Sequence, residues 1–367
     1  MNKIRKIFAI LLCITTVVGI CSCKKNDIGL VKGKSKIALI TGVQELELDF
    51  LNEEVWQGIA AFGDANEVEY TYYTPTEATV DKIYSAFELA VDEGADVLVC
   101  MGPMFSGAIK KMQENYEDVK IIAIDVAEAS IGTLGKNTHC ISFKQNQAGY
   151  LAGYAAVKDG FTKLGFYGEY DIERYSGYGY GFFNGAVDAA KELEVKIEFD
   201  FAFGNEFDSA ELGIEAVDAW YKNGCEIVMA AGSEETVSAI AKSAVENFAY
   251  IMGTSIDQSY LGQTFDYNPF MVSAMKGLRE AINTTLERAA TKQWEEELSG
   301  KTVFFGLENG NYLYLNEDEW LWLFEKFTLD DYWALKENIS SQQKEIERNE
   351  FADFDKENVV LRKQIDK

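Results

Sequence analysis

Apolar and polar positions alternate in blocks along this chain. Short apolar runs occur at Lys36–Thr41, Val68–Tyr73, Ala95–Met101, Val119–Asp125 and His139–Phe143. A second series follows at Lys163–Gly168, Val195–Phe203, Glu226–Ala231 and Ala249–Thr254. Between them, helical spacing of apolar residues predicts helices over Val80–Glu93, Gly107–Tyr116, Gln145–Lys158, Tyr178–Leu193, Ser209–Tyr221 and Glu234–Asn247. Strands rich in Ile, Val, Ala and Phe are buried on both faces. Separated by helices, they pair in parallel. The alternation restarts near Thr162. The predicted fold class is therefore α/β, with two doubly wound parallel-sheet lobes. In such sheets ligands sit outside the carboxyl ends of the strands, so two lobes facing each other would enclose a cleft.

Beyond residue 254 the pattern is less regular. Met271–Arg288 reads as a helix, Lys301–Glu308 and Asn311–Leu315 as strands, and Trp320–Phe327 and Leu329–Asn338 as helices. Gln342–Lys367 is highly charged and reads as a fraying tail. The expected organisation is a first lobe over 36–143 and a second over 144–254. Crossover and closing elements shared between the lobes span 255–340, and a charged tail spans 341–367.

The N-terminus follows other rules. Lys3, Arg5 and Lys6 precede the apolar run Ile7–Ile20, which is too short for a comfortable membrane span. Cys21, Ser22 and Cys23 come next. Basic, apolar, small, cysteine is the order of a secretory signal, and the cysteine at its end resembles a bacterial lipobox. Residues 1–22 are expected to be a lipoprotein signal peptide, Cys23 the lipidated residue and 23–35 a tether. No later stretch approaches a spanning helix, so the expected product is an exported domain held at the cell membrane's extracytoplasmic face by a lipid.

Composition narrows the partners. A chain of 367 residues with 47% hydrophobic content can bury two cores. Sixty acids stand against 34 bases, a net charge of −26. Such a surface repels phosphate backbones and excludes nucleic acid as a natural partner. Three cysteines remain after the signal, Cys100, Cys140 and Cys225. Their odd number and strand-like positions argue for buried thiols over a disulfide framework.

Motifs for catalysis or phosphate binding do not hold up. Gly29–Ser35 (GLVKGKS) is one residue short of a phosphate loop and precedes the first strand. Ser176–Gly185 (SGYGYGFFNG) has Asn184 where a dinucleotide fingerprint needs glycine, and reads as a helix packing closely through small residues. No G-x-S-x-G elbow occurs. The single histidine, His139, lies in a strand and reads as a core residue. One histidine without a close cysteine pair makes zinc improbable. The acids offer many carboxylate pairs, so an enzyme using cleft carboxylates is a rival reading without a specific signal. The loops after the strands carry aromatics, amides and carboxylates. Among them are Gly42–Asn52, Asp125–Glu128, Glu169–Tyr175, Phe203–Phe207, Gly232–Glu235 and Ser255–Tyr260. Together they suit a small, flat, hydroxylated ligand.

Longer segments carry a resemblance. NEEVWQG, DEGADVLVCMGPMFSGAIKKM, QNQAGYLAGYAA, KLGFYGEYDIERYSGYGYGFFNGA, YIMGTSIDQS and VSAMKG stand in this order along the chain. Over roughly Lys36–Asn338 the sequence resembles the basic membrane protein family of bacterial lipoproteins. That resemblance implies a type I periplasmic-binding-protein fold and the role of substrate-binding component of an ABC transporter. A purine nucleoside would be the ligand, an ABC permease the membrane partner, and no cofactor or catalysis is implied. A lipoprotein of this fold that reports a ligand to a membrane receptor is the alternative.

The resemblance also implies ligand positions. Asn52 stands at the family's asparagine, Leu51 takes the place of its stacking aromatic, and Phe50 lies next to it. Gly42 occupies the position of a base-reading aspartate. Asp125 matches a ribose-binding aspartate. Phe207 corresponds to the second stacking aromatic, with Phe203 as its competitor. Gly232 is retained while Glu234 replaces a glycine. Asp257 matches one of two aspartates, Ser255 replaces the other, and Lys276 matches the family lysine.

Overall fold

The computed structural model describes residue 30 and residues 33–46, 49–207, 209–342, 346 and 350–363. The expected signal peptide over 1–22, the lipidation site Cys23 and most of the tether lie outside these residues. Among the described residues no helix is long and apolar enough to cross a membrane.

The chain starts with β1 (Lys36–Ile40), α1 (Phe50–Asn66), β2 (Glu69–Tyr73), α2 (Val80–Asp92), β3 (Val97–Met101) and α3 (Ser106–Asn115). It continues through β4 (Lys120–Ile124), the single-turn α4 (Glu128–Ile131) and β5 (Thr138–Phe143). A second series runs α5 (Gln145–Asp159), β6 (Lys163–Gly168), α6 (Glu173–Leu193), β7 (Ile197–Phe203), α7 (Ala210–Lys222), β8 (Ile227–Ala231), α8 (Glu234–Glu246), β9 (Tyr250–Ser255) and β10 (Phe270–Lys276). The last elements are α9 (Leu278–Ala289), β11 (Lys301–Phe305), β12 (Leu313–Leu315), α10 (Leu329–Gln342) and β13 (Val359–Lys363).

Two sheets result. The first has the order β11-β5-β4-β3-β1-β2, the second β12-β10-β9-β8-β6-β7-β13. Their central portions repeat one plan, since β2-β1-β3-β4-β5 and β7-β6-β8-β9-β10 are the same winding. All pairings are parallel except β10 with β12. Strands β3 and β8 are buried at every position, which is why their sequences are continuous apolar runs. Short polar side chains start the helices: Asp49, Thr79, Ser209 and Ser233 each accept a backbone N–H of the first turn.

The chain passes between lobes three times: from β5 to α5, from β10 to α9, and from β11 to β12. Helix α9 leaves the second sheet and packs on α1 of the first lobe, where a Cβ on Gly58 would come within 2.4 Å of Ile282. This connectivity belongs to the type I periplasmic solute-binding fold.

Helices α5 and α6 approach through glycines, as the small-residue reading of Ser176–Gly185 expects. A Cβ on Gly153 would lie 1.9 Å from the Phe182 carbonyl oxygen, and one on Gly181 2.0 Å from that of Asn146. His139 is fully buried in β5. Cys100, Cys140 and Cys225 are buried free thiols.

Three expectations are corrected. Met271–Arg288 is not one helix: Phe270–Lys276 is strand β10 of the second sheet, and only Leu278–Ala289 is helical. Trp320–Phe327 forms turns, with Trp322, Phe324 and Phe327 packed on one another. The charged tail does not fray over its described part. Val359–Lys363 pairs in parallel with β7, and Phe351 packs on Tyr180, Phe183 and Phe201.

Candidate functional site

The carboxyl ends of β1, β4, β8, β9 and β10 meet between the lobes. Two adjoining cavities lie there. One encloses about 310 Å³, bounded by Asp125, Ser142, Phe143 and Gln145 together with Ile172 and Arg174. The other encloses about 440 Å³, bounded by Asp49, Phe50 and Leu51 from the first lobe and Gly232, Ser255 and Gln258 from the second. Arg174 borders both. Their size is that of small-molecule sites.

Two contacts join the lobes at this level. Lys276 Nζ, at the end of β10, donates to Asp125 Oδ2 across 2.7 Å. Both side chains are buried, at 0% and 4% exposure. The ammonium lies 5.4 Å from the Phe143 ring and 5.8 Å from that of Tyr178, each a favourable cation–π distance. Burial pulls the Lys276 pKa below its ordinary value, and Arg174 adds to this, while Asp125 opposes both. The second contact is Phe50 of α1 against Tyr260, with ring centroids 4.7 Å apart. The Tyr260 hydroxyl donates to Glu234 Oε1 at 2.5 Å. Burial, and then that bond, raise its pKa.

Backbone strain also gathers here. Asp125, directly after β4, and Ser255, the last residue of β9, have φ of 53° and 72°. Non-glycine residues adopt these values at a penalty and concentrate at functional sites.

Several buried polar atoms around the cleft lack partners. Asn52 is fixed by Asp49: its Nδ2 donates to Asp49 Oδ2 at 2.6 Å and its backbone N–H to Oδ1 at 3.2 Å. A carboxylate partner sets the amide orientation, so the orphaned Oδ1 is a true acceptor. Gln145 donates through Nε2 to the Glu173 carbonyl, which leaves its Oε1 unpaired. Arg174 Nε is buried without a partner as well. Buried polar groups are normally paired, and of these residues Gln145 and Arg174 border the cavities directly.

The expected ligand residues divide. Asp125 and Lys276 come together beside the smaller cavity. Phe50, Leu51 and Gly232 border the larger one, with Asn52 behind Asp49. Gly232 is confined by Glu169: a Cβ there would meet the Glu169 Cβ at 2.9 Å. Gly42 lies beside Asp49: a Cβ at 42 would stand in ordinary contact, 3.5 Å from Asp49 Oδ2. Phe207 borders neither of these cavities and packs beside the core of Tyr167 and Val217. Phe203 is buried against Phe166 and Phe201. Asp257 accepts from the N–H and hydroxyl of Ser259, at 2.9 and 3.0 Å, within its own turn. Arg174, Gln145 and Tyr178 lie in segments that carry the resemblance but are not among its implied ligand positions, although Arg174 lies in one of the loops expected to reach the cleft.

Residues 49–331 match the family model Bmp, described as ABC transporter substrate-binding protein PnrA-like. The ABC transporter nucleoside-binding protein BmpA of Lactococcus lactis subsp. cremoris is 26% identical over 330 residues, covering 84% of this chain and 90% of its own. Basic membrane protein D of Borreliella burgdorferi is 30% identical over 221 residues, 59% of each chain. Among solved structures, an ABC transporter solute-binding protein from Conexibacter woesei matches with a TM-score of 0.66 at 16% identity, over 86% of this chain and 99% of its own. One from Aeropyrum pernix gives 0.62 at 17%, over 84% and 91%. These two share the fold.

Proposed function

The chain belongs to the Bmp family of PnrA-like ABC transporter substrate-binding proteins, and we propose that it captures a purine nucleoside between its lobes for an ABC permease in the membrane. The observation that carries this reading is the pair of interlobe cavities, bordered by unpaired buried polar atoms and by Phe50 and Phe143. Flat rings stack on such aromatics, and hydroxyls and ring nitrogens supply the missing hydrogen bonds. The nucleoside-binding name of the Lactococcus relative supports the same ligand class.

Asp125 is the acceptor proposed for ribose hydroxyls, with Lys276 as its partner from the second sheet. Asn52 and Asp49 offer acceptors to the base. Phe50 closes on Tyr260 over the larger cavity. Phe207 and Asp257, matched by the family resemblance, would need rearrangement to take part. Cys23 is the proposed lipid anchor, holding the domain outside the cytoplasm near its permease.

A thermal-shift screen with inosine, guanosine, adenosine and their bases tests the ligand. At 100-fold excess over Kd a true ligand adds about 2.7 kcal/mol of stability. No shift with any of them overturns the nucleoside reading. Membrane release of a Cys23→Ala variant tests the anchor.

A further inference from the structure

We propose that Arg174 selects among purine nucleosides, favouring those with a carbonyl at position 6 (inosine and guanosine) over adenosine. The proposal rests on the nucleoside reading above. Arg174 sits in the first turn of α6 and borders both cavities. Its Nη1 lies 3.8 Å from where a Cβ on Gly102 would stand, so this second-lobe side chain reaches the end of β3 in the first lobe. Its guanidinium carbon is 5.1 Å from the Tyr175 ring centre, an orientation that stacking helps to hold. Nε is buried and unpartnered, and among the described residues the guanidinium forms no salt bridge.

A guanidinium presents its donors as a fixed fork, and its best partner is a pair of adjacent acceptors. A phosphate, a carboxylate, or the O6/N7 edge of a 6-oxopurine supplies such a pair. The surroundings choose between them. Asp49, Glu173, Glu234 and Glu235 border the same cavities, and Asp125 already has its counter-ion in Lys276. Four carboxylates around this guanidinium oppose an anionic ligand such as a phosphate or carboxylate. A neutral acceptor pair fits. Adenine offers N7 beside an amino group at position 6, so one arm of the fork would face a donor. The 6-oxopurines also carry N1–H, a donor suited to the carboxylates nearby.

Isothermal titration of the purified protein with inosine, guanosine, adenosine and inosine 5′-monophosphate tests this. Wild type is expected to bind inosine and guanosine at least tenfold tighter than adenosine. Arg174→Gln is expected to lose about tenfold to a hundredfold for the two 6-oxopurines, the range for one bidentate contact, and to hold adenosine within about threefold. Arg174→Lys, which keeps charge without the fork, recovers only part. Melting curves establish that both variants fold. Equal wild-type affinity for adenosine, an equal loss for all nucleosides in Arg174→Gln, or tighter binding of the monophosphate overturns the selectivity and leaves the nucleoside reading standing. If no purine compound binds, the nucleoside reading falls and the selectivity falls with it.

Discussion

Lys276 and Asp125 are 151 positions apart in sequence, belong to different sheets, and meet at 2.7 Å with both side chains buried. Asp125 reaches this contact from a left-handed backbone conformation. The pair ties the end of β4 to the end of β10, beside the passage where the chain leaves the second sheet for α9. An ion pair this far from water is held by its geometry, since each charge alone would be strongly penalised.

Removing one partner should therefore hurt more than removing both. Lys276→Met leaves a buried carboxylate without its counter-ion and is expected to lower stability by about 3–5 kcal/mol. Combining it with Asp125→Asn is expected to restore much of that loss. Urea unfolding of the two single variants and the double variant measures the coupling. Additive losses would show that the two charges do not depend on each other.

His139 should make stability pH-dependent. Its Nδ1 lies 3.0 Å from the Leu298 carbonyl oxygen and the ring is fully buried, so the neutral ring is the form that fits. Burial pushes its pKa from 6.5 down to about 4. Between those values the unfolded chain takes up a proton that the folded chain refuses. The contribution is complete above pH 6.5 and is lost as pH falls towards 4, about 3 kcal/mol in all. Unfolding midpoints of wild type and His139→Gln, compared from pH 7.5 to 4.5, should converge as pH falls. A constant difference between them would assign the slope to other groups.

Much of the fold is legible in the sequence because the central strands are buried along their whole length and bounded by turns. Legibility fails where local pattern and tertiary role separate. The strand over Phe270–Lys276 runs into α9 with one residue between them, so its apolar positions merge with helical spacing downstream. The aromatics of Trp320–Phe327 mimic an amphipathic helix but pack on each other across turns. Val359–Lys363 is short and flanked by charge, and becomes a strand only because the edge of β7 is open to it. At the cleft, motif matching finds the loops more readily than the side chains that turn inward. Asp125 and Lys276, distant in sequence, converge on one ion pair. Asp257 closes its own turn instead, and Arg174, which has no spacing signal, is placed at the cleft by the start of α6.

The C-terminal segment should contribute to stability. Phe351 contacts Phe183, Phe201 and Tyr180 with ring centroids 4.8–5.0 Å apart. Arg362 donates to both carboxylate oxygens of Asp200 and to Glu198. Its side chain is 48% exposed, so Arg362→Ala should lower stability by under about 1 kcal/mol. Phe351→Ala should lose about 2–3 kcal/mol, near the lower end for a large aromatic because the ring is half-buried. Urea unfolding of both variants measures the order. A larger loss at Arg362 would show that the fork, and not ring packing, holds the segment in place.

The close approach of α5 and α6 links packing to the site. A Cβ on Gly153 would fall 1.9 Å from the Phe182 carbonyl oxygen, and one on Gly149 2.2 Å from that of Tyr178. Backbone cannot move aside as a flexible side chain can, so Gly153→Ala must push the helices apart. Overpacking of this kind costs about 1–3 kcal/mol or more. Helix α6 also carries Arg174 in its first turn and Tyr178 beside Lys276. Its displacement should move both relative to Asp125 and weaken ligand binding in a protein that still folds. Urea unfolding gives the stability change, and titration with the ligand identified by the nucleoside screen gives the binding change. Full stability in Gly153→Ala would mean that the helices are not in backbone contact there. Lost stability with unchanged affinity would mean that α6 holds its N-terminal turn independently of its packing on α5.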